Sequence, residues 1–589
     1  MDPLTIAIIA LFVILTVIII IVIVRTTRFG IEYEEVPQVK LPEVDGESVA
    51  QRIGLAIQLR TFSDVDANKI DPMPFEAFRD LTRTLYPQLE QKLYREVINR
   101  HALLYTWRGS NEALDPVCFM AHQDVVPAVE GDEGGWKHPP FAGELADGYV
   151  WGRGALDCKG SLICILEAVN NLVKQGYEPE RTIYLAFGHD EENSGVFGAK
   201  QIARTLKERG VKLSFLLDEG GTITSGQIKG IAGPVAFIGI SEKGHLTLKL
   251  KARVKGGHSS MPPATTAIGA LSLAIAALES NPFPQNLEVA QFVISHLGNE
   301  VPFTQRIALA NPWLFGGIAR KQLTATPSTN SLTRTTAVPT VIRAGDAENV
   351  LPGEAEALLN CRIFPGETIQ EVYERIRDLV ADDVISVEPV YGDTIMDEHA
   401  WNPTAVSDVD SPQYNRLADL VLGAFPGTKV APFMMSGATD ARYYNDICQN
   451  AFRFTPFYLS KEEVATVHGV DERVSYDNAG RAVGFYQLLI QQVSSLTVEQ
   501  ETEERAGLKP EAPDLNEEEA SAVDRMNEPL AVKPLDPTKR KARGLVQETA
   551  DRATDATEVP KAVEWQESEQ FLEEDEPLVV KPMKKKLKA

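Results

Sequence analysis

Apolar runs and amphipathic stretches alternate through the first half of the chain. VCFMAH (117–122), RTIYLAFGH (181–189) and LSFLLDEG (213–220) read as buried strands, and ICILEAVNNLVKQG (163–176) between the first two reads as an amphipathic helix. Strand, helix, strand alternation predicts an α/β sheet covered by helices. In such sheets ligands sit outside the carboxyl ends of the strands. HQD, HDEE and DEG each follow directly on one of these runs, so they are expected to share one rim.

The period changes to two at HLTLKLKARVKG (245–256), as for a half-buried antiparallel strand, and TTAIGALSLAIAALES (265–280) then reads as a helix. EAEALLNCRIF (354–364) alternates again, ETIQEVYERIRDLVAD (367–382) has helical spacing, and DVISVEPVYG (383–392) is a last strand. An α+β insertion with an open sheet face, residues 244–392, therefore interrupts an α/β domain whose halves are 49–243 and 393–498. The first pattern resumes with NRLADLVLGAF, a helix, and AFRFTPFYL, a strand.

Both ends depart from globular patterning. Leu4 to Val24 carries no charge, long enough for the roughly 30 Å of a bilayer core at about 1.5 Å per residue. It reads as a transmembrane anchor rather than a cleaved signal, because the segment before it holds only Asp2 and Arg25 follows it directly. Arg25 and Arg28 favour a cytoplasmic body by the positive-inside rule. Residues 25–48 form a polar, proline-containing linker. Residues 499–589 are acidic, poor in aromatics and basic at the very end, which predicts a disordered tail.

A net charge of -25 argues against a nucleic-acid partner, since phosphate binding needs a basic surface. Five cysteines without CxxC spacing suggest neither a zinc knuckle nor a disulfide framework. The chemistry lies in the acids. Asp190, Glu191 and Glu192 stand together after a strand, and neighbouring carboxylates repel unless a cation or proton sits among them. The run is either solvated or faces a metal.

On the second reading, Glu192 holds an ion and Glu191 is a general base acting on a metal-bound water, while Asp190 orients the loop. His122 offers an imidazole whose other nitrogen Asp124 can hold. Asp157 either caps the helix after it or bridges two cations. Asp218 and His468 complete a set of two histidines and three carboxylates. Two zinc ions suit that mix, and cobalt or manganese would fit as well. Cys158 is left unligated.

AHQDVVPA, WGRGALDCKG, GHDEENSG, LLDEG, GGHSSMPP, ENVLPGEAEALLNCRIFPG, SGATDARYY and HGVDERV, in this order, resemble the dizinc aminoacylase and carboxypeptidase family of metallopeptidases. The likeness is greatest to the branch of carboxypeptidase S and the N-fatty-acyl-amino-acid synthase/hydrolases, and runs from about Val49 to Ser495. The resemblance implies a zinc-peptidase-like catalytic domain with a ferredoxin-like inserted domain that serves as lid and forms a homodimer. It implies that His122 and Asp218 bind one zinc and Glu192 and His468 the other, with Asp157 between them. Glu191 would be the general base and Asp124 the partner of His122. His258 would reach across from the partner subunit to the oxyanion, and Asn349 and Arg362 would bind the substrate carbonyl and carboxylate. In carboxypeptidase S an anchor tethers the enzyme in an oxidising lumen, which opposes the positive-inside reading, so the side of the membrane stays open.

The expected activity is cleavage, or formation, of an amide bond beside a free carboxylate in an N-acyl amino acid or a peptide. Two rivals are a dipeptidase or short-chain deacylase, and a catalytically silent membrane scaffold. Retention of Glu191 argues against the scaffold, because a binding module needs no general base.

Overall fold

The computed structural model describes residues 2–495 except 31–35, 227–230, 232, 287, 298–299, 325, 391–393 and 396–398. The predicted tail therefore lies outside the described residues. Eight strands form one sheet in the spatial order Tyr94–Ile98, Ala102–Trp107, Ile183–Gly188, Val117–His122, Phe215–Ser225, Ala451–Leu459, Pro234–Glu242 and Lys429–Met435. The central four, from Ile183–Gly188 to Ala451–Leu459, run parallel. The strands Val117–His122 and Ile183–Gly188 are buried at every position, as expected where helices cover both faces and the sequence is a continuous apolar run.

Alternate side chains serve two cores. Val117, Phe119, Phe215 and Leu217 pack with the helices Gly46–Ile57, Lys159–Lys174 and Tyr476–Ser494. Cys118, Met120 and Leu216 pack on the other face with helix Ala199–Glu208 and the turn Asp440–Tyr444. The period of two along each strand thus decides which layer a side chain meets.

The insertion contains a separate antiparallel sheet in the order Thr336–Ala344, Glu354–Ile363, Gly244–Arg253, Ile385–Pro389. Helices Ala267–Ser280 and Ile369–Leu379 fill one face, where Leu246, Leu248 and Leu250 meet Leu271, Val372 and Ile376. In chain order this is β-α-β-β-α-β, the ferredoxin-like arrangement. Between its first helix and second strand lie four further helices, Glu288–His296, Phe303–Ala310, Pro312–Leu323 and Pro327–Ser331, which the sequence pattern did not predict. At the N-terminus the helix Pro3–Thr27 spans 25 residues and contains an 18-residue stretch with a mean hydropathy of 3.7, long and apolar enough to cross a membrane.

Candidate metal centre

Three parallel strands reach one rim. His122 closes the strand Val117–His122, Glu191 and Glu192 sit in a short 3₁₀ turn just after Ile183–Gly188, and Glu219 lies where Phe215–Ser225 crosses the same level. The Nε2 of His122 is 3.0 Å from Asp157 Oδ1 and 3.1 Å from Glu219 Oε1. The other Asp157 oxygen is 2.9 Å from His468 Nε2, which also lies 3.1 Å from Glu192. Two ligand sets result, one of His122, Asp157 and Glu219 and one of Asp157, Glu192 and His468, with Asp157 common to both. Cys158 borders the first set, but its thiol accepts the His122 backbone N–H, and burial pushes it well above the usual thiol range.

Asp218, expected in the first set, is placed elsewhere. Its carboxylate accepts the backbone N–H groups of Glu219 and Ala441, at 2.9 and 2.8 Å, on the face of the sheet that carries Leu216 and the 440–444 turn. Glu219 is the acid that meets His122. Counting by two from Leu216 would have sent Asp218 to that face and its neighbour to the other.

The electrostatics fit a cation. Burial and the nearby Asp157 push Glu219 up to about 8. Hydrogen bonds to Asp157 and Glu192 raise His468 to about 10. Asp157 is largely withdrawn from solvent, which opposes its charge, yet the two imidazoles hold it well below the ordinary carboxylate range. Protons thus stand among these groups in the places where a metal ion would neutralise the carboxylates. Imidazole and carboxylate donors in this number suit zinc.

Supporting residues explain why the ligands hold still. The carboxylate of Asp124 lies 3.3 Å from His122 Nδ1 and also accepts the N–H groups of Glu191 and Glu192, both at 3.1 Å. One buried acid therefore orients a ligand and the turn that carries the two glutamates. Asp190 faces away and accepts Phe197 N–H and Gly198 N–H, each at 2.7 Å, shaping the loop. Glu472 is fully buried and accepts from the N–H groups of Gly154, Leu156 and Asp157, while pairing with Arg153 at 2.6 Å. Arg153 also donates to the carbonyls of His468 and Gly469. This clamp ties the loop of the shared aspartate to the loop of His468, and the sequence reading missed both of its members. Glu191, raised well above the usual carboxylate range mainly by burial, has Arg442 at 3.8 Å.

Residues 118–492 match the peptidase family M20/M25/M40. The chain belongs to that family. It is accordingly a hydrolase acting on amide bonds. A relative named probable carboxypeptidase S-like 2, from Dictyostelium discoideum, is 34% identical over 478 residues, covering 80% of this chain and 90% of that one. The human N-fatty-acyl-amino acid synthase/hydrolase PM20D1 is 37% identical over 454 residues, covering 76% and 88%. The M20 family metallo-carboxypeptidase Sso-CP2 from Sulfolobus solfataricus has a similar fold, with a TM-score of 0.52 at 16% identity over 75% of this chain and 98% of that one.

In this M20 chain three expected site residues lie in the inserted domain. His258 pairs with Val350 in a short antiparallel ribbon, and Ser259 N–H donates to the Asn349 carbonyl at 3.1 Å, so His258 and Asn349 are neighbours. Both are exposed. Among the described residues, no hydrogen bond or ion pair joins either to the ligand sets. Arg362 pairs in register with His245 and is partly buried, which lowers its guanidinium from the usual range.

Proposed function

We propose that the protein is a membrane-anchored dizinc amidohydrolase that cleaves, and under suitable concentrations forms, the amide bond of N-acyl amino acids or of C-terminal peptide residues. The observation that carries this reading is Asp157 shared between two ligand sets, with Glu191 held beside them. His122, Asp157 and Glu219 would hold one ion, and Asp157, Glu192 and His468 the other. Bound zinc would bring a water's pKa into the neutral range and polarise the amide carbonyl.

The chain's residues supply the rest. Glu191 takes the proton of the attacking water and returns it to the leaving amine, a task suited to a largely buried carboxylate with a raised pKa. Arg362 presents a planar, always charged fork to the substrate carboxylate, and Asn349 binds the carbonyl. His258 donates to the oxyanion from the partner subunit of a homodimer formed through the inserted domain, which acts as the lid. The exposed Val338 and Ile342 on its edge strand Thr336–Ala344 support a pairing surface there. The names of the fatty-acyl relatives favour a long acyl chain, and the helix Pro3–Thr27 favours a membrane address where such chains concentrate.

The test is hydrolysis of N-oleoyl-phenylalanine and of a short dipeptide by detergent-solubilised protein, before and after chelation and zinc restoration. Zinc-dependent cleavage of the first is expected, and cleavage of the dipeptide alone would indicate a dipeptidase. Glu191→Gln should abolish turnover while leaving two metal ions bound. An active variant would remove Glu191 from the mechanism.

A further inference from the structure

The four unpredicted helices include Phe303–Ala310, which packs against the end of the N-terminal apolar helix, and Pro312–Leu323, which packs on Phe303–Ala310. Ile18, Val22 and Thr26, spaced by four, form the stripe of that helix's second half that is partly or fully buried. Thr26 and Asn311 are completely buried against each other, with Asn311 Nδ2 donating to Thr26 Oγ1 at 3.1 Å. Arg25 Nε donates to the Ala310 carbonyl at 3.3 Å. The start of the second helix is thereby held at the level where the apolar run gives way to Arg25.

Just beyond Asn311, that helix exposes Trp313, Leu314 and Ile318 at 44%, 47% and 55%, with Arg320 and Lys321 exposed beside them. Phe303 on its partner helix is exposed too. Apolar side chains including a tryptophan, fringed by basic ones, make the pattern of a helix lying in a bilayer interface. The hydrogen bonds to Thr26 and Arg25 hold the start of this helix at the end of the span, where a bilayer boundary would lie.

We propose that this helix pair is a membrane-docking platform: Trp313, Leu314 and Ile318 enter the headgroup and acyl boundary, and Arg320 and Lys321 meet anionic lipid headgroups. The proposal rests on Pro3–Thr27 being retained as a span. Its consequence is orientational. A body held to a single span can still tilt with it, whereas a second contact fixes which side faces the lipid that would supply a fatty-acyl substrate.

The full chain, reconstituted in vesicles of phosphatidylcholine and phosphatidylserine with or without brominated acyl chains, tests it through tryptophan fluorescence. Brominated lipid should quench part of the emission, Trp313→Phe should remove that quenching, and adding Ile318→Trp to the variant should restore it. Protein that floats with the vesicles but shows no change in either variant would overturn the platform while leaving the anchor standing. A second copy covering this face would give that same result. Protein that fails to float would overturn the anchor, and the platform with it.

Discussion

Glu219 and His468 carry protons that a metal ion would have to displace. With Glu219 at about 8 and His468 at about 10, both groups are largely protonated at neutral pH without metal, and both must lose the proton to become ligands. Zinc binding should therefore release protons, and apparent affinity should rise as pH climbs through that range. Calorimetry in buffers of different ionisation enthalpy checks this. Buffer-independent heats near neutral pH would mean that the imidazole and the acid are already unprotonated. The pair at 218 and 219 allows a sharper test. Glu219→Gln should lower metal affinity steeply and cost one ion per chain by elemental analysis, whereas Asp218→Asn, which alters an acceptor of backbone N–H groups, should keep two. The reverse result would return Asp218 to the ligand role first read for it. The sequence places the two acids side by side in this strand, and only the side of the sheet separates them.

The elements that bear the ligands were legible because fully buried parallel strands leave long apolar runs, and because HQD, HDEE and DEG each stand where such a run stops. Strands such as Ala102–Trp107 and Lys429–Met435 were missed, since short runs without a flanking motif resemble helix segments. The clamp of Arg153 and Glu472 left no signal either, because its partners lie 319 positions apart and meet only through the fold. Its effect belongs to whole loops. Three backbone N–H groups and one guanidinium converge on a single carboxylate, so Glu472→Gln would weaken the acceptor that aligns the 154–157 loop with that of His468. Metal affinity should fall by about 10- to 100-fold, as for other groups that orient ligands. Unchanged zinc titration with full activity would show that the loops hold their geometry without it.

At the scale of the molecule, the ligand sets and the residues expected to bind substrate lie in different domains. The domain of the eight-stranded sheet holds His122, Asp157, Glu192, Glu219 and His468 on its strands and adjoining loops, while His258 and Asn349 sit exposed on a ribbon of the ferredoxin-like insertion, joined to the ligand sets by no described hydrogen bond or ion pair. A donor displayed this way can serve a second copy of the chain in a closed two-fold dimer, where each subunit completes the other's site. Mixed dimers separate that arrangement from a purely internal closure. Glu191→Gln and His258→Ala should each be inactive alone, yet after dissociation and reassociation of an equal mixture, half the dimers would be hybrids with one intact site. Activity should then recover to roughly a quarter of wild type. No recovery, in a mixture shown by differential tags to contain hybrids, would place His258 over the site of its own chain and make the inserted domain a lid that closes from within one subunit.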